Sequence, residues 1–455
     1  MCGFAGMLVV PGAPVDVEGL RRMTRGLTHR GPDDEGFHEG PDCGLGHRRL
    51  SIVDLEGGRQ PLAAADGQVQ AVVNGEIYNH VALRRELRDQ GHVFRTSSDS
   101  EVVAHGYAEW GATLPEKLEG MFALAAWDAR SRTLLLARDR MGQKPLYYAL
   151  HRGALLFGSE PKALLAAPGY DPGLSRTGLG RYLAFECLPE DASIFDGMAQ
   201  VRPAERVLFT QGADQVQRSR YWEMGFGELP EAGAWGRASE PAVVDELERR
   251  VLKATERRLM ADVPIGVFAS GGLDSSIVAA AMARLRDPAD VDTFSIGFTD
   301  RAFDESGYAQ EVAEHLGTRH HVHIVSPDGL LDVMQEVSDL MDEPLADASI
   351  FPTYILSRFA RRDVKVALGG DGGDELFLGY PTFTAERWVR AAEAVVPRGV
   401  LASVAPAVRW ASKNAPRSSG YFPLEFKLER VARGLGRPAT ERHARWMGAF
   451  TPEAL

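Results

Sequence analysis

The chain has 455 residues, enough for two or three domains of ordinary size, and its 44% hydrophobic and 25% charged residues fit a soluble globular protein. A formal net charge of −12 excludes a general nucleic-acid binder, which needs a basic face to displace counterions, but leaves room for a local anion site. No apolar run approaches the roughly 20 residues of a membrane-spanning helix, so no membrane partner is expected.

The chain opens Met1-Cys2-Gly3-Phe4-Ala5-Gly6-Met7-Leu8-Val9-Val10, without the basic leader and small-residue cleavage site of a secretory signal. Cys2, Cys43 and Cys187 are odd in number and widely spaced, which argues against a disulfide framework or a zinc site and for a reducing cytoplasm. Cys43 and Cys187 read as small buried hydrophobes. Through residue 210 the pattern is one of short strands and tight turns, with strands expected at 69–73, 122–127 and 133–137. A helix is expected from Asn79 as cap, with Leu83 and Leu87 on one face.

Glycine, proline and acidic residues then crowd into 225–241 with little periodicity, and the stretch 211–240 reads as a linker. Beyond it strands and helices alternate. Val244, Leu247, Val251 and Ala254 share a helical face. Strands follow at 263–269, 291–297, 320–325 and 364–368, with helices at 275–285 and around Tyr308, Val312 and Leu316, the latter ended by Gly317. Such alternation predicts an α/β doubly wound parallel sheet whose ligands sit beyond the carboxyl ends of its strands. His320, His321 and His323 alternate along one strand and read as a half-exposed strand rather than a metal site.

Loss of Met1 would leave Cys2 with a thiol and a free α-amine on one residue. The amine, with an ordinary pKa of about 8, can then act as base for its own nucleophile. Taken alone, Cys2 reads more readily as an ordinary small residue near a terminus, and Asn74-Gly75 reads equally well as an ordinary hairpin turn. Five ordered segments change the weighting: Met1-Cys2-Gly3, His29-Arg30-Gly31-Pro32-Asp33, Arg49-Leu50-Ser51-Ile52-Val53-Asp54, Asn74-Gly75-Glu76-Ile77-Tyr78-Asn79 and Ser98-Asp99-Ser100-Glu101. Together they resemble the class II glutamine amidotransferase domain, an α+β N-terminal-nucleophile sandwich of two sheets between helices. The resemblance implies Cys2 as nucleophile, with the Asn74 side-chain amide and the Gly75 N–H as oxyanion donors. It implies L-glutamine held by the segment Arg49, Leu50, Ser51, Ile52 and Val53, with Arg49 gripping the carboxylate. Asn74, Gly75, Glu76 and Asp99 complete the glutamine site, Glu76 and Asp99 meeting the α-ammonium. His29 and Arg30 are expected to support structure.

In the second half the strand 263–269 runs into Ser270-Gly271-Gly272-Leu273-Asp274-Ser275-Ser276. Backbone N–H groups of such a turn and a helix N-terminus cradle anions, and the absence of a Gly-Lys-Ser/Thr ending excludes a Walker A loop. A bare capped turn would account for the serines and Asp274 alone. The full segment resembles the pyrophosphate loop of ATP-cleaving enzymes that form acyl-adenylates. Gly369-Gly370-Asp371-Gly372-Gly373-Asp374-Glu375-Leu376-Phe377 closes a later strand on the same sheet edge. The resemblance implies ATP bound by Phe268, Ser270, Gly271, Gly272, Asp274, Ser275, Ile296, Gly369 and Gly370. It assigns Mg²⁺ to Asp274 and Asp374, and adenylate formation to Asp371, where some relatives carry glutamate. Asp304-Glu305-Ser306 and the segment 342–347 also match family segments, the first as a helix start and the second as part of an acceptor site.

The two halves together resemble glutamine-dependent asparagine synthetases. The expected organisation is a glutaminase domain at 2–210, a linker at 211–240 and a synthetase domain at 241–455. Ammonia would pass within the protein to a β-aspartyl-AMP formed from ATP and L-aspartate, and relatives are often homodimers. The family's synthetase domain continues further, through a stretch with lysine, aspartate and arginine not found here. The domain is therefore expected to be incomplete at its C-terminus. The alternatives are an amidotransferase of the same build with another carboxylate acceptor, a non-catalytic nucleotide-binding relative, and a β-lactam synthetase, whose members lack the N-terminal cysteine.

Overall fold

In Gly3–Leu8, Phe4 and Leu8 alternate with Ala5 and Met7, yet all four are buried. A strand can hide both faces only between two layers, and the contacts show which. Phe4 and Leu8 pack with Val72, Ala125, Leu134 and Leu136 of a second sheet, whereas Ala5 and Met7 pack with Leu20, Met23 and Leu27 on the helical side. The second sheet repeats the device. Val69, Ala71 and Val73 meet Leu83, Leu87, Val102 and Val103, while Val72 faces the first sheet. The result is helix, sheet, sheet, helix.

The computed structural model describes residues 1–189, 191–213, 216–225, 238–414, 424–448 and 450. Contacts divide the chain into two units: Met1–Leu179, Leu188–Glu248 and Met260–Val263 form the first, and Gly180–Cys187, Arg249–Leu259 and Pro264–Leu455 the second. The strands of the first unit are β1 (Gly3–Leu8), β2 (Asp34–Glu39), β3 (Cys43–Arg49), β4 (Leu62–Ala63), β5 (Val69–Ile77), β6 (Gly120–Asp128), β7 (Thr133–Arg138), β8 (Tyr147–His151), β9 (Ala154–Gly158), β10 (Met198–Gln200), β11 (Glu205–Thr210) and β12 (Gln217–Arg220). They form antiparallel sheets in the orders β10-β8-β9-β1-β3-β2 and β12-β11-β7-β6-β5-β4. The fold class expected of this half, two sheets between helices, is the one observed.

Some expectations need correction. Helix His80–Asp89 does follow Asn79, but the Asn79 side chain does not cap it. Its Nδ2 donates to Lys117 O at 2.9 Å and its Oδ1 accepts from Glu119 N at 3.0 Å, pinning the entrance to β6 instead. The stretch 211–240 is not all connector, because β12 pairs antiparallel with β11 from Glu205↔Arg220 to Leu208↔Gln217. Residues 226–237 of that stretch lie outside the described residues. Cys43 is buried as expected, but Cys187 is exposed.

In the second unit β13 (Ile265–Phe268), β14 (Asp292–Phe298), β15 (Arg319–Val325) and β16 (Val366–Leu368) form a parallel sheet in the order β15-β14-β13-β16. Helices Leu273–Leu285 and Ser306–Leu316 alternate with the strands, as predicted, and Gly317 closes the second in the left-handed region at φ 76°. The order reverses direction beside β13, which makes the β13/β16 crevice the topological switch point. Helix Glu240–Arg258, whose residues up to Glu248 belong to the first unit, forms where the shared apolar face predicts it, but Val244 and Leu247 of that face are 54% and 40% exposed. On β15, His320 and His321 are half-buried and hydrogen-bonded, to Thr293 and Ser295 and to Asp292 respectively, whereas His323 is exposed.

Candidate active sites

β1 begins at Gly3, so Cys2 stands at the head of a central strand of the first sheet. Its carbonyl accepts a hydrogen bond from Arg30 Nε at 2.8 Å. Arg30 and His29 both bind Glu160, as supports rather than cavity walls. Burial works to raise the Glu160 carboxyl, but His29 and Arg30 hold it down at about 2. The Cys2 thiol is pushed up by burial and by Asp99. The Leu50 N–H, 3.4 Å from Sγ, the terminal ammonium and Arg49 pull it the other way without cancelling the rise. A thiol raised in this way needs a base before it can attack.

Facing it from the second sheet is Asn74. It shares β5's parity with Val72, so its side chain points between the sheets. Asn74 is fully buried, and neither Oδ1 nor Nδ2 has a hydrogen-bond partner. Gly75 follows at φ +149°, where a Cβ would come within 1.9 Å of Met121 O. Only glycine fits there, and the backbone is bent accordingly.

Two loops close the cavity. Asp54 ties them together, accepting Gly57 N at 2.9 Å and Ser97 N at 2.7 Å. Arg49 is buried and donates to the carbonyls of Val53 at 3.1 Å, Asp54 at 2.5 Å and Leu55 at 3.0 Å. Its guanidinium is therefore partly committed to shaping its own loop. Asp99 accepts the Ile77 N–H at 2.7 Å, and burial raises its carboxyl despite that bond.

The cavity, about 50 Å³, is lined by Cys2, Arg49, Leu50, Ile52, Val53, Asn74, Gly75, Glu76 and Asp99, all expected from the sequence. Ser51 is not in its wall; the Ser51 N–H donates to Asp33 at 2.9 Å. Met1, Gln60, Met121 and Lys144 line it unannounced. Gln60 brackets Val73, accepting its N–H at 2.6 Å and donating to its carbonyl at 3.2 Å, and so sets β5 next to Asn74.

In the second unit a cavity of about 900 Å³ opens at the carboxyl ends of β13 and β16. This is within the roughly 300–1,000 Å³ usual for small-molecule sites. Phe268, Ser270, Gly272, Asp274, Ser275, Ile296, Gly369, Gly370, Asp371 and Asp374 all line it. Gly271 does not. At φ +80° it turns toward helix Ser306–Leu316, where a Cβ would lie 2.6 Å from Ala309 N. The loop after β13 is braced internally: Ser275 Oγ lies 3.0 Å from Ser270 Oγ, and Ser276 Oγ donates to Gly272 O at 2.7 Å. The two glycine-rich loops touch. A Cβ on Gly370 would meet Ser275 N at 2.7 Å, and one on Gly373 would meet Asp274 Oδ2 at 2.3 Å. Asp304 binds the N–H groups of Ser306 and Phe298, while Glu305 reaches the cavity. Asp347 accepts the Ser349 N–H at 2.9 Å, before helix Ile350–Ala360.

Among the described residues no group of three or more His, Cys, Asp or Glu side chains could hold a metal ion by itself. Mg²⁺ seldom needs one, since it binds through one or two carboxylates together with substrate phosphates. Asp274 and Asp374, hard donors in one wall, fit that pattern.

Residues 1–222 match the glutamine amidotransferase domain family, and residues 246–449 match asparagine synthase. The chain is 34% identical over 383 residues to asparagine synthetase (glutamine-hydrolyzing) 1 of Bacillus subtilis, covering 84% of this chain and 59% of that protein. It is 32% identical over 403 residues to a putative asparagine synthetase (glutamine-hydrolyzing) 2 of Methanocaldococcus jannaschii, covering 84% of this chain and 76% of that protein. Identity to a Penicillium rubens protein named amidase chyE is 32% over 413 residues, covering 85% and 60% respectively. The chain thus spans 59% of the length of the Bacillus relative. No described helix is long and apolar enough to cross a membrane.

Proposed function

Because the chain belongs to the family of glutamine-hydrolysing asparagine synthetases, we propose that it makes L-asparagine, releasing ammonia from L-glutamine in its first unit and consuming it in its second. The observation that carries the reading is the buried, unpartnered amide of Asn74 in one cavity with Cys2. Each buried polar group left without a partner costs about 1–3 kcal/mol, which a ligand supplying the missing partner recovers.

Loss of Met1 frees the Cys2 amine. The amine takes the thiol proton, and Sγ attacks the carboxamide carbon of glutamine. Asn74 Nδ2 and the Gly75 N–H receive the oxyanion; Arg49, Glu76 and Asp99 hold the amino-acid end. The C–N bond breaks as the amine returns its proton to the departing ammonia, and water then hydrolyses the glutamyl thioester.

In the second unit the side-chain carboxylate of L-aspartate attacks the α-phosphorus of ATP, pyrophosphate leaves, and ammonia displaces AMP from β-aspartyl-AMP. Phe268, Ile296, Gly369 and Gly370 take the adenosine, the backbone and hydroxyls of 270–275 the phosphates, and Asp371 supports adenylate formation. Asp274 and Asp374 would hold Mg²⁺, whose charge offsets that of pyrophosphate. Three free cysteines suit a reducing cytoplasm as the place of work.

The test has two arms. The purified chain is expected to release glutamate from glutamine, and Cys2→Ala to abolish it; an unchanged rate in that variant refutes the glutaminase half. Pyrophosphate release with ATP, Mg²⁺ and L-aspartate supports the acceptor. A signal from another carboxylic acid and none from aspartate moves the chain to an amidotransferase of different acceptor.

A further inference from the structure

One charged side chain in the Cys2 cavity has no part in the chemistry above. Lys144 follows β7 and is 5% exposed. Its backbone is locked on both sides, the N–H donating to Asp139 at 3.0 Å and the carbonyl accepting from Arg138 Nε at 2.7 Å. The Nζ ends 2.8 Å from Met1 Sδ, in the wall it shares with Cys2, Asn74 and Glu76. Burial draws the Lys144 ammonium's pKa down, Arg30 adds to that, and the Glu76 and Asp139 carboxylates and the Cys2 thiol oppose it. Burying a lysine is costly, so its retention here calls for a reason.

The other charges around Cys2 supply one. Asp99 and Glu76 line the same cavity, and carboxylates favour a protonated amine beside them. Arg49, another cation of the same wall, has already spent part of its fork on the carbonyls of 53–55. A protonated amine cannot accept the thiol proton. Resting on the reading of Cys2 as a terminal nucleophile, we propose that Lys144 is its positioning residue: once Met1 is gone, the buried ammonium keeps the Cys2 amine neutral and ready to act as base. A second ammonium in so small a space is disfavoured by like-charge repulsion. Lys144 neither gives nor takes a proton. The thiol proton moves to the amine within the cavity, whose net charge is unchanged by the transfer.

The experiment follows iodoacetamide alkylation of Cys2, mapped by peptide mass to separate it from exposed Cys187, and kcat/KM for glutamine across pH. It compares the full chain with Lys144→Met and Lys144→Gln. In both variants the acid limb of both profiles is expected to rise by at least about one pH unit, the lower end of the shift one neighbouring charge produces. The rate lost near neutrality, about tenfold, returns as the pH is raised. A limb that stays in place overturns the proposal, whether the rates are full or uniformly reduced, because a merely structural lysine would lower rates without moving the limb. If one variant fails to fold, the other gives the reading. Intact mass of the unaltered chain isolates the parent reading: a retained Met1 sinks the terminal-nucleophile assignment, and this inference with it, before any variant is compared.

Discussion

Replacing Asn74 with leucine should raise stability while destroying glutaminase activity. The side chain is fully buried and neither amide atom has a hydrogen-bond partner within the protein, whereas in the unfolded chain both bond to water. Leucine has similar bulk and nothing to desolvate, so removing the amide should relieve about 1–3 kcal/mol, the penalty for an unsatisfied buried group. For a unit of this size each kcal/mol moves the unfolding temperature by about 2–4 °C, so a rise of several degrees is expected. Activity moves oppositely, since losing one oxyanion donor costs about 2.7–4 kcal/mol of barrier, or a factor of about 10²–10³ in kcat. The assay pairs thermal unfolding with glutamate release at saturating glutamine. A lower unfolding temperature together with a kcat within threefold or so of the parent would refute the reasoning, because Asn74 would then be a structural amide rather than a donor held for the transition state.

Two further predictions concern other parts of the molecule. Glu160 is held near 2 in the folded state against an ordinary 4.5, and a depressed carboxyl contributes stability that is present above its unfolded pKa and lost as pH falls through the folded one. Glu160→Gln should therefore lose about 3 kcal/mol at neutral pH and flatten the stability decline between pH 4.5 and 2, read from denaturant midpoints; a variant with the parent's acid slope would remove Glu160 as its cause. Asp274→Asn should abolish ATP-dependent pyrophosphate release and leave glutamine hydrolysis within about twofold, since the two cavities share no residue. Retained pyrophosphate release would take Asp274 out of the phosphate site.

Much of this was legible in the sequence because it is local. A strand running into Ser270-Gly271-Gly272 and then a helix specifies its own geometry within a dozen residues, and the order of strand and helix signals implies a parallel sheet with its ligands at one edge. The buried strands of the first unit were recognisable from their β-branched and aliphatic runs. Failures fell where a residue's role depends on what lies across a sheet. The spacing of Val244 and Leu247 announces a helix, but periodicity names no partner, and both are exposed. Asn79 sits where a cap should, yet the return of the chain at 117–119 offers its amide better bonds than the helix terminus does.

Gln60 and Lys144 show the limit most clearly. Neither belongs to a motif, and each reaches the cavity only because two six-stranded sheets stack with β1 and β5 facing each other. That stacking brings Cys2, at the head of β1, and Asn74, on β5, from different sheets into one cavity, so the catalytic geometry proposed for them depends on the packing between layers rather than on either loop alone. Phe4 and Val72 in the intersheet core therefore act on the chemistry through position. It follows that neither proposed site can be assembled from its motif segments as isolated peptides: the loop after β13 has a local strand-turn-helix frame, but Gly271 still packs on helix Ser306–Leu316 and Ser275 on the loop after β16.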